Sequence, residues 1–252
     1  MGQTENPRRT APVAQRSVGS QVARVWARPQ GKIALGLAVA LVVALFAGAI
    51  YVFGAAGGTP SGPLTSATLV ATNGGSVFMI DPSSSEASFT MSEVLLGKPN
   101  TVVGKTNSVA GQILVNMKDP TLSQVGQIKV DLSTLATDND FRNRTMQGRI
   151  LETGDPANQY AVFTPTAITG LPSALTLGQS VSFHITGNLT IHQVTKAVTF
   201  DAQVTPQSAT QISGAATTTV RYEDFNLAIP NVPSVTDVSD DVKLALTFTA
   251  HA

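Results

Sequence analysis

Residues 181–204 read VSFHITGNLTIHQVTKAVTFDAQV, and their alternation decides the fold. Val181, Phe183, Ile185, Leu189 and Ile191 fall on one side of an extended chain, with Ser182, His184, Thr186, Asn188 and Thr190 on the other. Beyond His192-Gln193 the pattern restarts, with Val198, Phe200, Ala202 and Val204 set against Thr199, Asp201 and Gln203. Successive side chains of a strand point to opposite faces, so each stretch is a strand with one apolar and one wet side.

Working outward, the same period appears in Ile128, Val130 and Leu132 against Gln127, Lys129 and Asp131. It returns in Val242, Leu244, Leu246 and Phe248 against Lys243, Thr247 and Thr249. Further strands are expected near residues 76–80, 86–96, 109–117, 160–168 and 211–222. Eight or nine one-sided strands predict an all-β, antiparallel barrel or sandwich. Leu177-Gly178-Gln179 and Thr205-Pro206-Gln207 read as turns between neighbours. The exception is 138–152, DNDFRNRTMQGRILE, where Phe141, Met146 and Ile150 recur at roughly helical spacing after Asp138, the expected N-cap. One short helix across an end of the sheet is the expectation there.

Upstream, Ile33 to Phe53 reads IALGLAVALVVALFAGAIYVF without a charge. At about 1.5 Å per residue it spans roughly 31 Å as a helix, the thickness of a bilayer core. Arg8, Arg9, Arg16, Arg24, Arg28 and Lys32 precede it against a single Glu5. Positive flanks stay cytoplasmic, so the reading is a single N-terminal transmembrane helix with everything after Phe53 outside the cell or in the periplasm. A cleaved signal peptide is the alternative, but its apolar core is typically about 7–15 residues. The predicted organisation is a basic, disordered cytoplasmic tail (1–32), the membrane helix (33–53), a Gly/Ala/Thr/Pro-rich flexible stalk (54–75) and one β domain (76–252).

Composition narrows the function. The chain has no Cys, which excludes disulfides and thiol catalysis. Its formal net charge of zero argues against a nucleic-acid partner, which would select a basic face. Neither a Gly-x-Ser-x-Gly elbow, a phosphate-binding loop nor a His-Glu-x-x-His pair occurs. His184 and His192 sit roughly 26 Å apart on a straight strand and cannot share an ion, so they read as exposed strand histidines and no metal site is expected. Asp237, Asp240 and Asp241 lack the spacing and turn glycine of a calcium loop and read as a solvated turn. Asn143-Arg-Thr145 and Asn188-Leu-Thr190 match glycosylation acceptors.

Several stretches together resemble one family. GNLTIHQVTKAVTFDAQV is similar to its "G-x-L-T-I-x-G-V-T-K-x-V-x-F" hairpin, and GQIKVDLSTLATDNDFRNRTM to its strand, "D-L-S/T-L-x-T-D" turn and short helix. TVVGKTNSVAGQILV and ISGAATTTVRYEDFNLAIP resemble its early and late segments. The chain thus resembles the YceI-like, polyisoprenoid-binding family over roughly 76–250. Two departures stand out. Gln193 replaces the Gly before Val-Thr-Lys, which implies a different turn type. Arg142-Asn143-Arg144 lacks the family's acid, so no salt bridge is carried over to Arg142.

The resemblance implies a lipocalin-like eight-stranded barrel whose apolar lumen holds a long isoprenoid or similar lipid, a quinone included. The inward residues Val130, Leu132, Phe183, Ile185, Leu189, Phe200, Leu246 and Phe248 are the candidate ligand-binding set. Periodicity alone leaves a filled core and a cavity open, since a barrel of this size does either. No cofactor is called for beyond a bound lipid. The cytoplasmic membrane is the expected partner surface, and a homodimer is left open. Two competing readings are a non-enzymatic interaction module with a filled barrel and an enzyme at the barrel mouth near Arg142, Asp138 and Asp224.

Overall fold

The computed structural model describes residues 64–252. The expected basic tail and membrane helix lie outside the described residues. Within them, no helix is long and apolar enough to cross a membrane.

Thirteen strand segments form one antiparallel sheet. They are β1 (Ser76–Ile80), β2 (Glu86–Leu95), β3 (Lys98–Thr106), β4 (Val109–Ala110), β5 (Gln112–Val115), β6 (Gln124–Val125) and β7 (Ile128–Asp131). After the helical crossover come β8 (Tyr160–Thr169), β9 (Val181–Ile191), β10 (Val194–Ser208), β11 (Gln211–Arg221), β12 (Val235–Thr236) and β13 (Asp241–His251). The β9–β10 hairpin pairs residue for residue, β8–β9 and β10–β11 each carry one register shift, at Pro165/Ala167 and Pro206/Ser208, and β11 pairs β13 from Gln211↔His251 to Arg221↔Asp241.

The sheet curls. β13 pairs β2 through Lys243–Thr247 and then β1 through Ala250 and His251. β1 in turn pairs β5, and β4 pairs β7. The expected strand at 109–117 is two short pieces because Gly111 separates them, and each piece serves a different neighbour. A Cβ on Gly111 would stand 2.4 Å from the end of the Ile128 side chain, so the missing side chain makes room for Ile128 in the core. β3 was not expected as a strand, because Lys98, Pro99, Asn100 and Gly104 disguise its pattern. Val102 nevertheless lies buried within it.

Two turn expectations are corrected. Thr205-Pro206-Gln207 is not a turn: β10 runs on to Ser208, with fully buried Pro206 opposite Ile212 and the register shift of a bulge beyond it. Proline is tolerated where no ladder bond is required of its nitrogen, and the Pro206 carbonyl accepts from Gly178 N–H at 2.7 Å. The β9–β10 turn keeps left-handed backbone at both central residues, His192 (φ 49°) and Gln193 (φ 63°). This is the glycine-favouring two-residue geometry despite the absence of glycine. Its strain is offset by Gln193 Nε2 donating to buried Asn158 Oδ1 at 2.9 Å.

The core is continuous from Phe78, Val109 and Ala250 at one end to Leu132, Met146 and Phe225 at the other. Residues just before β1 also pack on the sheet, where Leu69 N–H donates to Gln112 Oε1 at 2.6 Å.

Candidate functional site

The inner face of the curled sheet encloses a cavity of about 480 Å³. That lies within the roughly 300–1,000 Å³ typical of small-molecule sites. Its wall follows from the alternation that builds the strands. Alternate residues of β9 and of the second half of β10 turn inward, so Val181, Phe183, Ile185, Leu189 and Ile191 line the cavity with Phe200, Ala202 and Val204. Each of Val130, Leu132, Phe183, Ile185, Leu189, Phe200, Leu246 and Phe248 lines the cavity. Leu132 does so from a 3₁₀ turn (Leu132–Thr134), since β7 ends one residue earlier.

Gly187 shapes this wall. It falls in the inward register of β9, where a Cβ would meet the Phe163 ring at 2.7 Å and the Thr164 carbonyl at 2.6 Å. Its missing side chain seats Phe163, whose ring meets Phe200 edge to face with centroids 4.9 Å apart. Such aromatic pairs contribute about 0.5–1.5 kcal/mol beyond their buried area.

The other wall comes from β2, with Ala87, Phe89, Met91 and Leu95 inward. Glu93 occupies the next position in that series, 9% exposed, and also lines the cavity. Its Oε1 accepts from Asn100 Nδ2 at 2.8 Å and from Arg142 Nη2 at 2.9 Å. Arg142 comes from α1 (Asp140–Thr145), and its Nη1 donates to Asp138 at 2.9 Å. The missing neighbouring acid therefore does not leave Arg142 without a salt bridge; the acids come from β2 and from the turn before the helix.

The helix that delivers Arg142 is capped by Asn139, not Asp138: Asn139 Oδ1 accepts from Arg142 N–H at 3.0 Å. Asn143 Oδ1 accepts from both Thr137 N–H and its hydroxyl at 2.7 Å, fixing the preceding turn. A π-helical turn, Met146–Ile150, follows. Met146, at its start, is buried, while Phe141, five residues earlier on another face of the helix, is 63% exposed at the cavity rim. Phe225, 1% exposed, and the segment after it (Leu227, Ile229, Val232) line the same end. Tyr222 lines the cavity too; burial, then the charges of Glu223 and Asp240, hold its phenol pKa above the ordinary value.

The histidines lie elsewhere. His184 Nδ1 pairs with Asp201 at 2.8 Å on the outer face. His192 sits in the hairpin turn, half-buried, with Nε2 at 3.2 Å from Glu152, so it is not an exposed strand residue. Among the described residues no group of three metal-ligating side chains comes together. The residue missed at sequence level is Glu93; Arg142 was expected at this end beside Asp138, but not as the partner of a β2 carboxylate. A signal for Glu93 was present, a carboxylate in phase with Ala87, Phe89, Met91 and Leu95.

The comparisons agree with this architecture. A YceI-like domain model matches residues 78–250. Among solved structures, a polyisoprenoid-binding domain from Saccharophagus degradans implicated in plant cell wall breakdown superposes with a TM-score of 0.54 at 19% identity, covering 69% of this chain and 98% of that one. BcnA of Burkholderia cenocepacia superposes with a TM-score of 0.52 at 17% identity, covering 68% and 98%. No curated protein matches. At these identities the structural likenesses speak for the fold, and the family match for kinship: the chain belongs to the YceI-like family.

Proposed function

We propose that this protein is a membrane-tethered, extracytoplasmic lipid carrier that holds a polyisoprenoid or similar long-chain amphiphile inside a lipocalin-like barrel. One observation carries the reading, the apolar cavity of about 480 Å³ walled by the inward residues of β2, β8–β11 and β13. The return of the pairings through β4, β5 and β1 to β13 supports a closed barrel. One structural neighbour is itself described as polyisoprenoid binding. A cavity lined this way binds by burial, at about 0.8 kcal/mol per CH₂. A long tail is held without any directional contact along its length.

The uncharged run Ile33–Phe53 and its basic flank support tethering, with the β domain outside. The stalk up to Leu69, where Gln112 holds the chain to the sheet, would let the domain range about 20 Å on average, enough to meet the bilayer surface. The role is read as binding because the Glu93–Arg142–Asp138 cluster is committed to its own ion pairs.

The test is retention of a long-chain prenol by the full chain after gel filtration. Wild type should co-elute with lipid, and Phe183→Asp with Phe200→Asp should not. A folded double variant that still retains lipid would remove the lumen as the site.

A further inference from the structure

We infer that Glu93 is the head-group acceptor of the cavity, taking a hydrogen bond from a neutral, hydroxyl-bearing long-chain lipid and turning away anionic heads. The inference rests on the lipid-carrier reading above and adds the chemistry of the head.

Glu93 stands where β2 would otherwise offer a fifth apolar residue to the lumen, between Met91 and Leu95. A carboxylate in that register is costly unless its oxygens are met by donors. Oε1 is met twice, by Asn100 and Arg142. Oε2 accepts from no described residue, yet no enclosed side-chain nitrogen or oxygen among the described residues lacks a partner. Oε2 is therefore not sealed in the protein, and the residue that carries it lines the cavity. An acceptor-only carboxylate oxygen there selects a donor.

The charge count selects which donor. Glu93 and Arg142 are the charged residues of the lining. Arg142 is already neutralised twice, by Glu93 and by Asp138, each at 2.9 Å. Asp138 is 88% exposed and screened by solvent, whereas Glu93 is 9% exposed and is not. A phosphate or carboxylate head would place a second anion beside an enclosed carboxylate whose counter-ion is committed, which repels. A hydroxyl brings the hydrogen atom that Oε2 needs and no charge. The tail then lies along the apolar strip of Met91, Phe89 and the facing strands.

The experiment uses the full chain in nonionic detergent, exchanged with an equimolar mixture of geranylgeraniol, its methyl ether, geranylgeranyl phosphate and squalene. Retained lipids are extracted and quantified by mass spectrometry. The wild-type protein should retain the prenol over both the ether and the phosphate by about tenfold or more. Glu93→Gln should bring the phosphate close to the prenol while squalene retention stays unchanged, which shows that the lumen is intact. Equal retention of prenol and phosphate by wild type, which needs no variant, would overturn the inference while leaving the carrier reading in place. So would a Glu93→Gln protein with the wild-type preference. Retention of none of the four, squalene included, would remove the carrier reading and this inference with it.

Discussion

On the β9–β10 wall, Ile185, Leu189, Phe200 and Ala202 reach the cavity from positions two and four apart along the chain. At the helix-bearing end, Glu93 and Arg142 meet across 49 residues of sequence. The wall is made by a local rule repeated on strand after strand, and it tolerates any side chain of about the right size and polarity. The end is made by particular partners: Asn139 must cap α1, Asp138 must hold one guanidinium nitrogen, and Asn100 must hold the carboxylate. The wall supplies affinity through area, while the end supplies whatever discrimination the cavity has. In such a site, loss of wall area should weaken all ligands alike, and loss of an end group should change their order.

The comparison breaks most visibly at the wall. Phe183→Asp with Phe200→Asp places two carboxylates in the lumen and separates Phe200 from Phe163; lipid retention should fall below detection, read by extraction and mass spectrometry. Next comes Arg142→Ala, which leaves the Glu93 carboxylate enclosed without its cation. Breaking a fully buried pair costs about 3–5 kcal/mol, and because Arg142 keeps 23% exposure the expected loss is nearer 2–3 kcal/mol, measured by urea unfolding. Gly187→Ala tests the seat of Phe163: the added methyl must displace the ring, and overpacking of this kind costs about 1–3 kcal/mol. A neutral Gly187→Ala would show that the aromatic pair is not set by this glycine.

Smaller effects sharpen the picture at the hairpin. Gln193→Gly removes a left-handed side chain, a gain of about 1 kcal/mol, and also removes the bond to Asn158, a loss of about 1 kcal/mol. The net change should stay below about 1 kcal/mol in either direction; a larger gain would mean that the Asn158 contact contributes nothing. Smallest is the alkaline effect of Tyr222. Its phenol pKa is held above the ordinary value in the folded protein, so folding keeps the proton longer than the unfolded chain does. Stability from this group is complete below the unfolded pKa of about 10 and declines as pH rises through the folded one. Tyr222→Phe should flatten that decline in thermal unfolding between neutral and alkaline pH.

How much was legible follows from the same contrast. The antiparallel all-β sheet and the inward set from Val130 to Phe248 could be read because period-two alternation is written within each strand. The short helix at 138–152 was legible as an interruption of that period. β3 was not, since Pro99 and Gly104 break its pattern although Val102 still turns inward. The β10 extension through Pro206 was hidden because proline reads as a turn, and its burial is decided by Ile212 opposite. The π-helical turn after Thr145 moved Ile150 and Leu151 by a register that helical spacing does not anticipate. The ion pair escaped for a different reason. Glu93 is conspicuous in phase with its apolar neighbours, but that its partner is Arg142 depends on the sheet curling to bring α1 over β2.

Native mass spectrometry of the full chain, released from detergent in the gas phase, tests the central claim most directly. A discrete extra mass that is lost on denaturation and extracts into organic solvent as a long-chain lipid is the predicted result. A clean polypeptide mass, unchanged after incubation with prenols and quinones, would contradict it and turn the lumen from a binding site into a packing feature.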